Sequence, residues 1–215
     1  MQIQSRPSGV TRTARRRRSP HPPTLTQRNV MKFISPAAVA LAAALGVTSC
    51  TSMPAAPLPT VASVDVPRYM GRWYEIAKLP NRFQASCASD TVARYRLRGD
   101  GVEVLNRCRR VDGSVDSIRG SATVVAGSAG ARLRVSFFWP FHGDYWVLAL
   151  DPSYEAVLVG EPSRKYAWVL SRSPVLDEAR LEALLARAQA LGFHRAAFVR
   201  TRQAAPIADD GLDSK

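Results

Sequence analysis

The chain's 215 residues suffice for one medium domain with extensions, and its formal charge of +13 invites a nucleic-acid reading. The distribution of that charge removes it: residues 1–49 hold eight basic side chains (Arg6, Arg12, Arg15, Arg16, Arg17, Arg18, Arg28, Lys32) and no acidic one, leaving 22 basic against 17 acidic residues beyond. The high isoelectric point therefore belongs to the N-terminus, and no nucleic-acid partner is expected.

Residues 1–30, with the Arg15–Arg18 run, read as an untranslated or disordered basic extension, and Met31 as the start. Met31-Lys32 is a short charged opening, and Phe33 to Val47 is small and apolar, too short to span a bilayer as a helix. Val47-Thr48-Ser49-Cys50 resembles the lipobox of bacterial lipoproteins. The resemblance implies a signal peptide over 31–49 and lipidation of Cys50 as the mature N-terminus. Thr51, which is not Asp, implies sorting to the outer membrane, with the protein facing the periplasm. Residues 50–64, with Pro54, Pro57 and Pro59, read as an extended tether to a domain over 65–203.

Within that domain, short strand-like runs alternate with turn signals. The runs are Trp73 to Leu79, Ser89 to Leu97, Val102 to Arg109, Ser117 to Val125, Ala131 to Phe138, Tyr145 to Leu150, Ala156 to Val159 and Lys165 to Ser171. Gly99-Asp100-Gly101 marks a hairpin between the second and third. In 132–137, Leu133, Val135 and Phe137 share one face and Arg132, Arg134 and Ser136 the other, as in a strand with one dry side. After Pro174 the period changes to 3.6, with Leu176, Leu181, Leu184, Leu185, Ala188 and Leu191 forming one stripe of a helix over about 177–191 that Gly192 stops. A ninth run follows at 196–201, and from Gln203, over 204–215, the chain reads as a flexible tail.

Eight strands, a helix and a ninth strand is the order of lipocalins, and two motifs make the match specific. Gly71-Arg72-Trp73-Tyr74-Glu75-Ile76-Ala77 resembles the first lipocalin signature, and Trp168-Val169-Leu170-Ser171-Arg172-Ser173-Pro174 the third; Asp151 is the one residue kept of the second. The phrases at 135–138 and 148–151 look closest to the bacterial outer-membrane lipoprotein lipocalins. The resemblance implies an all-β fold: an eight-stranded antiparallel up-and-down barrel with one C-terminal helix and a short ninth strand.

Strand parity then places Gly71, Trp73, Asp151 and Arg172 at one barrel end as a structural floor, with the Arg172 guanidinium over the Trp73 indole. The opposite end is open, and Phe138, Trp139 and Phe141 stand at its rim. That rim reads as an apolar mouth, as a patch touching membrane or partner, or as ordinary upper-barrel packing. Alternation puts Ala77, Leu79, Leu133, Val135, Phe137, Tyr166, Trp168 and Leu170 inside, an apolar lining with few hydrogen-bonding tips; Glu75 shares the face of Trp73 and Ala77.

Cys108 lies opposite Asp90 or Thr91 across the hairpin, so a bond to Cys87 needs a bulge or a diagonal approach. The family resemblance implies a Cys87–Cys108 disulfide; two buried thiols or a bond to another chain are the alternatives. The three histidines, His21, His142 and His194, have no second His or Cys at ligand spacing, so neither metal nor cofactor is expected.

The expected function is binding or carriage of a small hydrophobic ligand, a fatty acid or lysophospholipid, by an anchored monomer or homodimer with no catalytic residue, in envelope lipid storage, transport or maintenance. The competing reading is an isomerase or de-epoxidase on the same barrel.

Overall fold

A computed structural model of the chain describes residues 57–205 and 207, all within the unit Met53–Lys215. Cys50, the leader and the tether up to residue 56 lie outside the described residues.

One turn of helix, α1 (Val66–Tyr69), is capped by Asp65, whose side chain accepts from the Arg68 amide. Eight antiparallel strands follow: β1 (Gly71–Lys78), β2 (Ser89–Arg98), β3 (Gly101–Arg109), β4 (Val115–Val124), β5 (Arg132–Phe138), β6 (Phe141–Leu150), β7 (Ala156–Gly160) and β8 (Ala167–Ser171). Each pairs with its sequence neighbour, and β1 pairs with both β8 and β2, so the sheet closes into a barrel. The helix α2 (Glu178–Ala190) is capped by Asp177 and ended by Gly192 at φ 86°. It lays Leu181, Leu185 and Ala188 on the outer wall against Leu148, Leu158, Ala167 and Val169.

The expected fold class is the observed one. The edges differ in informative ways. β6 starts four residues before Tyr145, because cis Trp139-Pro140 makes a tight turn and Phe141 pairs straight back to Phe138. The run at 196–201 shortens to β9 (Val199–Arg200), preceded by a 3-10 turn at Arg195–Ala197.

Gln203, Ala204 and Ala205, read as the start of a flexible tail, are hydrogen-bonded into the barrel. At Asp90, with φ 55°, β2 bulges in its ladder with β3, and its pairing with β1 stops at Tyr74–Val92. Residues 199–205 fill the gap. The Thr201 amide donates to Ile76 O, and the Gln203 side-chain amide donates to Glu75 O of β1 and Thr91 O of β2. Asp90 is 2% exposed, and its carboxylate accepts from the Ala204 and Ala205 amides at 2.6 and 2.9 Å, from Ser89 Oγ and from Arg109 Nε. The C-terminal segment is thus the stitch of the β1–β2 seam.

The same bulge solves the cysteine register. It brings Ser89 opposite Arg109, and Cys87 then meets Cys108 diagonally with Cα atoms 5.5 Å apart in a disulfide. The bond closes a loop of 21 residues, so Cys87→Ser with Cys108→Ser is expected to cost about 3 kcal/mol. Denaturant melts of the double variant against the oxidised parent measure this, and equal midpoints would show that the bond adds nothing.

Candidate functional site

Trp73, third residue of β1, faces inward, and at 0% exposure it plugs the barrel. Its Nε1 donates to Tyr69 O at 2.9 Å, which ties the indole to the helix that precedes it. The Arg172 guanidinium, just past β8, lies 4.0 Å from the indole centroid. Arg172 also donates to four backbone carbonyls, those of Arg72, Arg68, Tyr69 and Tyr154, at 2.8–3.3 Å. Gly71 has φ 97°, and a Cβ there would lie 3.1 Å from Arg172 Nη1, so geometry and space both call for glycine.

Asp151 lies in the β6–β7 connection at this end, as parity placed it, but it does not join the stack. Its carboxylate accepts from Ser153 Oγ and the Glu155 and Ala156 amides, and so holds its own turn. Val64 and Val61, bonded to Ala129 O and Val147 O, complete the floor.

Above the floor, Leu133, Val135 and Phe137 share one cluster with Val102, Val104 and Ala122 of β3 and β4. Gly120 makes room for the Phe137 ring, since a Cβ there would come within 2.7 Å of it. Across the barrel, Tyr166 and Trp168 stack with centroids 6.5 Å apart. Val135, Phe137, Tyr145, Tyr166 and Trp168 are inward yet keep partial exposure, as residues bordering an accessible interior do.

Ala77 is not among them, and neither is Leu79. The β1–β8 register shifts between Glu75 and Ala77: Glu75 pairs with inward Leu170, but Ala77 pairs with outward Val169. Ile76 and Ala77 therefore both face out, and Ala77 and Leu79 pack beneath α2. The extra residue reverses the parity, so Lys78, paired with Trp168, turns inward.

The lining is consequently more polar than alternation predicts. Glu75 is 2% exposed. Its carboxylate accepts from Thr201 Oγ1 and Gln84 Nε2 and pairs with Lys78 Nζ at 3.1 Å. Gln84 Oε1 in turn accepts from Trp168 Nε1. Lower down, three tyrosines meet: Tyr69 and Tyr145 hydroxyls at 2.8 Å, and Tyr95 donating to Tyr145 at 3.2 Å. Burial pushes all three up, Tyr95 to about 12. They stay neutral, and among the described residues no carboxylate or imidazole hydrogen-bonds to them. Tyr95 and Tyr145 share the inward parity of Trp73, so their position was readable from register. Tyr69 was not, because it belongs to a four-residue helix without a periodic signal.

At the far end Phe138, Trp139 and Phe141 are exposed by 69%, 91% and 76%. Phe83 joins them from the 3-10 turn Arg82–Gln84, 5.4 Å from the Tyr166 ring.

A closed eight-stranded antiparallel barrel plugged at one end has an interior that side chains fill or that holds one small molecule. The comparisons place it more narrowly. A lipocalin-like domain model matches residues 64–203. The chain is 37% identical over 175 residues to the outer membrane lipoprotein Blc of Escherichia coli K12, covering 80% of this chain and 98% of that protein. It is 40% identical over 155 residues to temperature-induced lipocalin-1 of Arabidopsis thaliana, covering 68% and 83%. Bovine apolipoprotein D is 38% identical over 127 residues, covering 55% and 66%. Among solved structures, insecticyanin from the tobacco hornworm Manduca sexta superposes with a TM-score of 0.58 at 21% identity, over 68% of this chain and 85% of that one, a likeness of fold alone. The chain belongs to the lipocalin family, and its similarity to the bacterial outer-membrane lipoprotein group spans nearly the whole length of those relatives.

Proposed function

We propose that the protein is an extracytoplasmic lipocalin that binds or carries a single-chain lipid, a fatty acid or lysophospholipid, for envelope lipid storage, transport or maintenance. One observation carries the reading. The inward faces of β5 and β8, with Val135, Phe137, Tyr166 and Trp168, remain partly exposed above a floor sealed by Trp73 and Arg172. An apolar chain inserted there removes aromatic and aliphatic surface from water, at roughly 25 cal/mol per Å².

The Val47–Cys50 motif and the similarity to relatives named outer membrane lipoproteins support cleavage at 31–49, an acyl anchor on Cys50, a 50–64 tether and an outer-membrane position facing the periplasm. The chain acts as a monomer or homodimer, without metal or cofactor. A catalytic reading on this barrel would rest on buried Glu75, already paired with Lys78 and bonded by Gln84 and Thr201, and on Tyr69, Tyr95 and Tyr145. Their hydroxyls are neutral and bonded to one another, which favours carriage over proton transfer.

The test is mass spectrometry of lipids extracted from residues 51–215 purified under native conditions. A fatty acid or lysophospholipid near one per chain is expected. Recovery of no lipid, together with failure of fatty acid to displace a fluorescent probe, would refute binding.

A further inference from the structure

The four exposed aromatic side chains among the described residues, Phe83, Phe138, Trp139 and Phe141, all stand at the barrel mouth. Val111, 92% exposed at the β3–β4 turn, stands with them, whereas the exposed apolar residues elsewhere are scattered aliphatics. A patch of this kind, rimmed by polar groups, marks a surface that meets something apolar. Tryptophan in particular prefers the layer between water and acyl chains. Two cations sit on the same rim: Arg82, with its guanidinium 5.2 Å from the Phe83 ring, and exposed Lys165. Neither is in an ion pair among the described residues, so both are available to anionic headgroups.

Chain length supplies a second constraint. The Val64 amide bonds Ala129 O at the floor, but Leu58, six residues earlier, is already buried in the outer-wall cluster beneath α2. The eight residues from Cys50 to Leu58 extend to about 27 Å. The stretch of β6 from Leu148 to Phe141 rises about 24 Å. The contour length of the intervening chain is thus no obstacle to an anchor on the mouth side of the barrel.

We propose that the barrel docks mouth-down on the bilayer that holds its anchor, with Phe83, Phe138, Trp139 and Phe141 in the interfacial layer and Arg82 and Lys165 against anionic headgroups. The proposal rests on the anchored, lipid-binding reading above. It gives an acyl chain a path from membrane to barrel that avoids water.

The experiment places the processed full-length protein in vesicles of phosphatidylethanolamine and phosphatidylglycerol carrying brominated acyl chains. Trp139 emission is expected to be quenched, and in a Trp168→Phe background, which removes quenching by a chain bound inside the barrel, Trp139→Phe is expected to remove at least half of what remains, since Trp73 is sealed in the floor and Trp146 packs on the outer wall. Phe138→Ser with Phe141→Ser is expected to weaken vesicle partition of the protein lacking acyl chains at least tenfold, with an unchanged melting curve. Unquenched Trp139 in protein that sediments with vesicles and carries acyl mass on Cys50 overturns docking while leaving the anchor intact. If Cys50 carries no acyl mass, the anchor reading fails, and quenching on adding vesicles to the unanchored protein decides docking alone. A mouth-to-mouth dimer that forms without vesicles and keeps Trp139 unquenched with them assigns the patch to a second copy and overturns the proposal.

Discussion

Arg172→Ala is expected to destabilise the domain by about 2–4 kcal/mol, because it removes a stacked cation and, at once, its hydrogen bonds to four partly buried or exposed carbonyls. For a domain of this size that corresponds to a fall in melting temperature of roughly 10 °C. The guanidinium lies 4.0 Å from the Trp73 indole and donates to carbonyls on three segments: the end of α1, the start of β1 and the β6–β7 connection. It therefore ties the two ends of the barrel sheet to the helix that covers them. Arg172→Lys should recover only a small part, since an ammonium cannot present a planar fork to several carbonyls. Thermal melts of the two variants measure this, and an unchanged midpoint in Arg172→Ala would remove the floor stack from the account of stability. Ligand affinity of the folded variant should change less than its stability, because the floor lies beneath the accessible lining.

The second large effect is expected at the seam. Asp90→Ala should cost about 2–4 kcal/mol, since it strips a buried acceptor from two backbone amides and takes the carboxylate from Arg109, which keeps Gly113 O. Its pH dependence has a definite sign. Burial alone pushes the Asp90 carboxyl up, but the Ala205 and Ala204 amides, Ser89 and Arg109 together hold it below the ordinary carboxylate value. A group with a depressed folded pKa stabilises the protein above its unfolded pKa, near 3.9, and that contribution is lost as pH falls through the lower folded value. The parent should therefore lose seam stability below about pH 4, and Asp90→Asn should have less to lose there. Amide exchange at Thr201, bonded to Ile76 O, reports it locally. If Thr201 exchanges no faster in Asp90→Ala, the seam does not depend on Asp90.

The fold was legible because its two signature segments, Gly71–Ala77 and Trp168–Pro174, fix the first and last barrel strands, and alternation with turn glycines fills in the rest. Leu133, Val135 and Phe137 lie where period two puts them, because β5 is regular over that stretch. Ala77 and Leu79 do not, because a bulge at Ile76 adds one residue to β1 and has no compositional mark. Glu75 was visible as an inward carboxylate, but its partners Lys78, Gln84 and Thr201 come from beyond the bulge, from a 3-10 turn and from the C-terminal segment, each a departure from simple pairing. Asp90 offered no signal, since a non-glycine residue with φ 55° is dictated by the strand wedged beside it. The mouth aromatics were plain in Phe137-Phe138-Trp139-Pro140-Phe141; what sequence lacked was the distinction between packed Phe137 and its exposed neighbours.

The stitched seam also sets an order of events in biosynthesis. β1 leaves the ribosome early, and β2 to β8 can pair in turn as they follow, each with its immediate predecessor. The edges that the second half of β1 and the bulged start of β2 turn toward each other must wait for residues 199–205, more than a hundred positions later. Until those arrive the cylinder has a gap on one side, with Glu75 and Thr91 carbonyls facing solvent. The contact that closes the barrel wall is therefore the last one the growing chain can make.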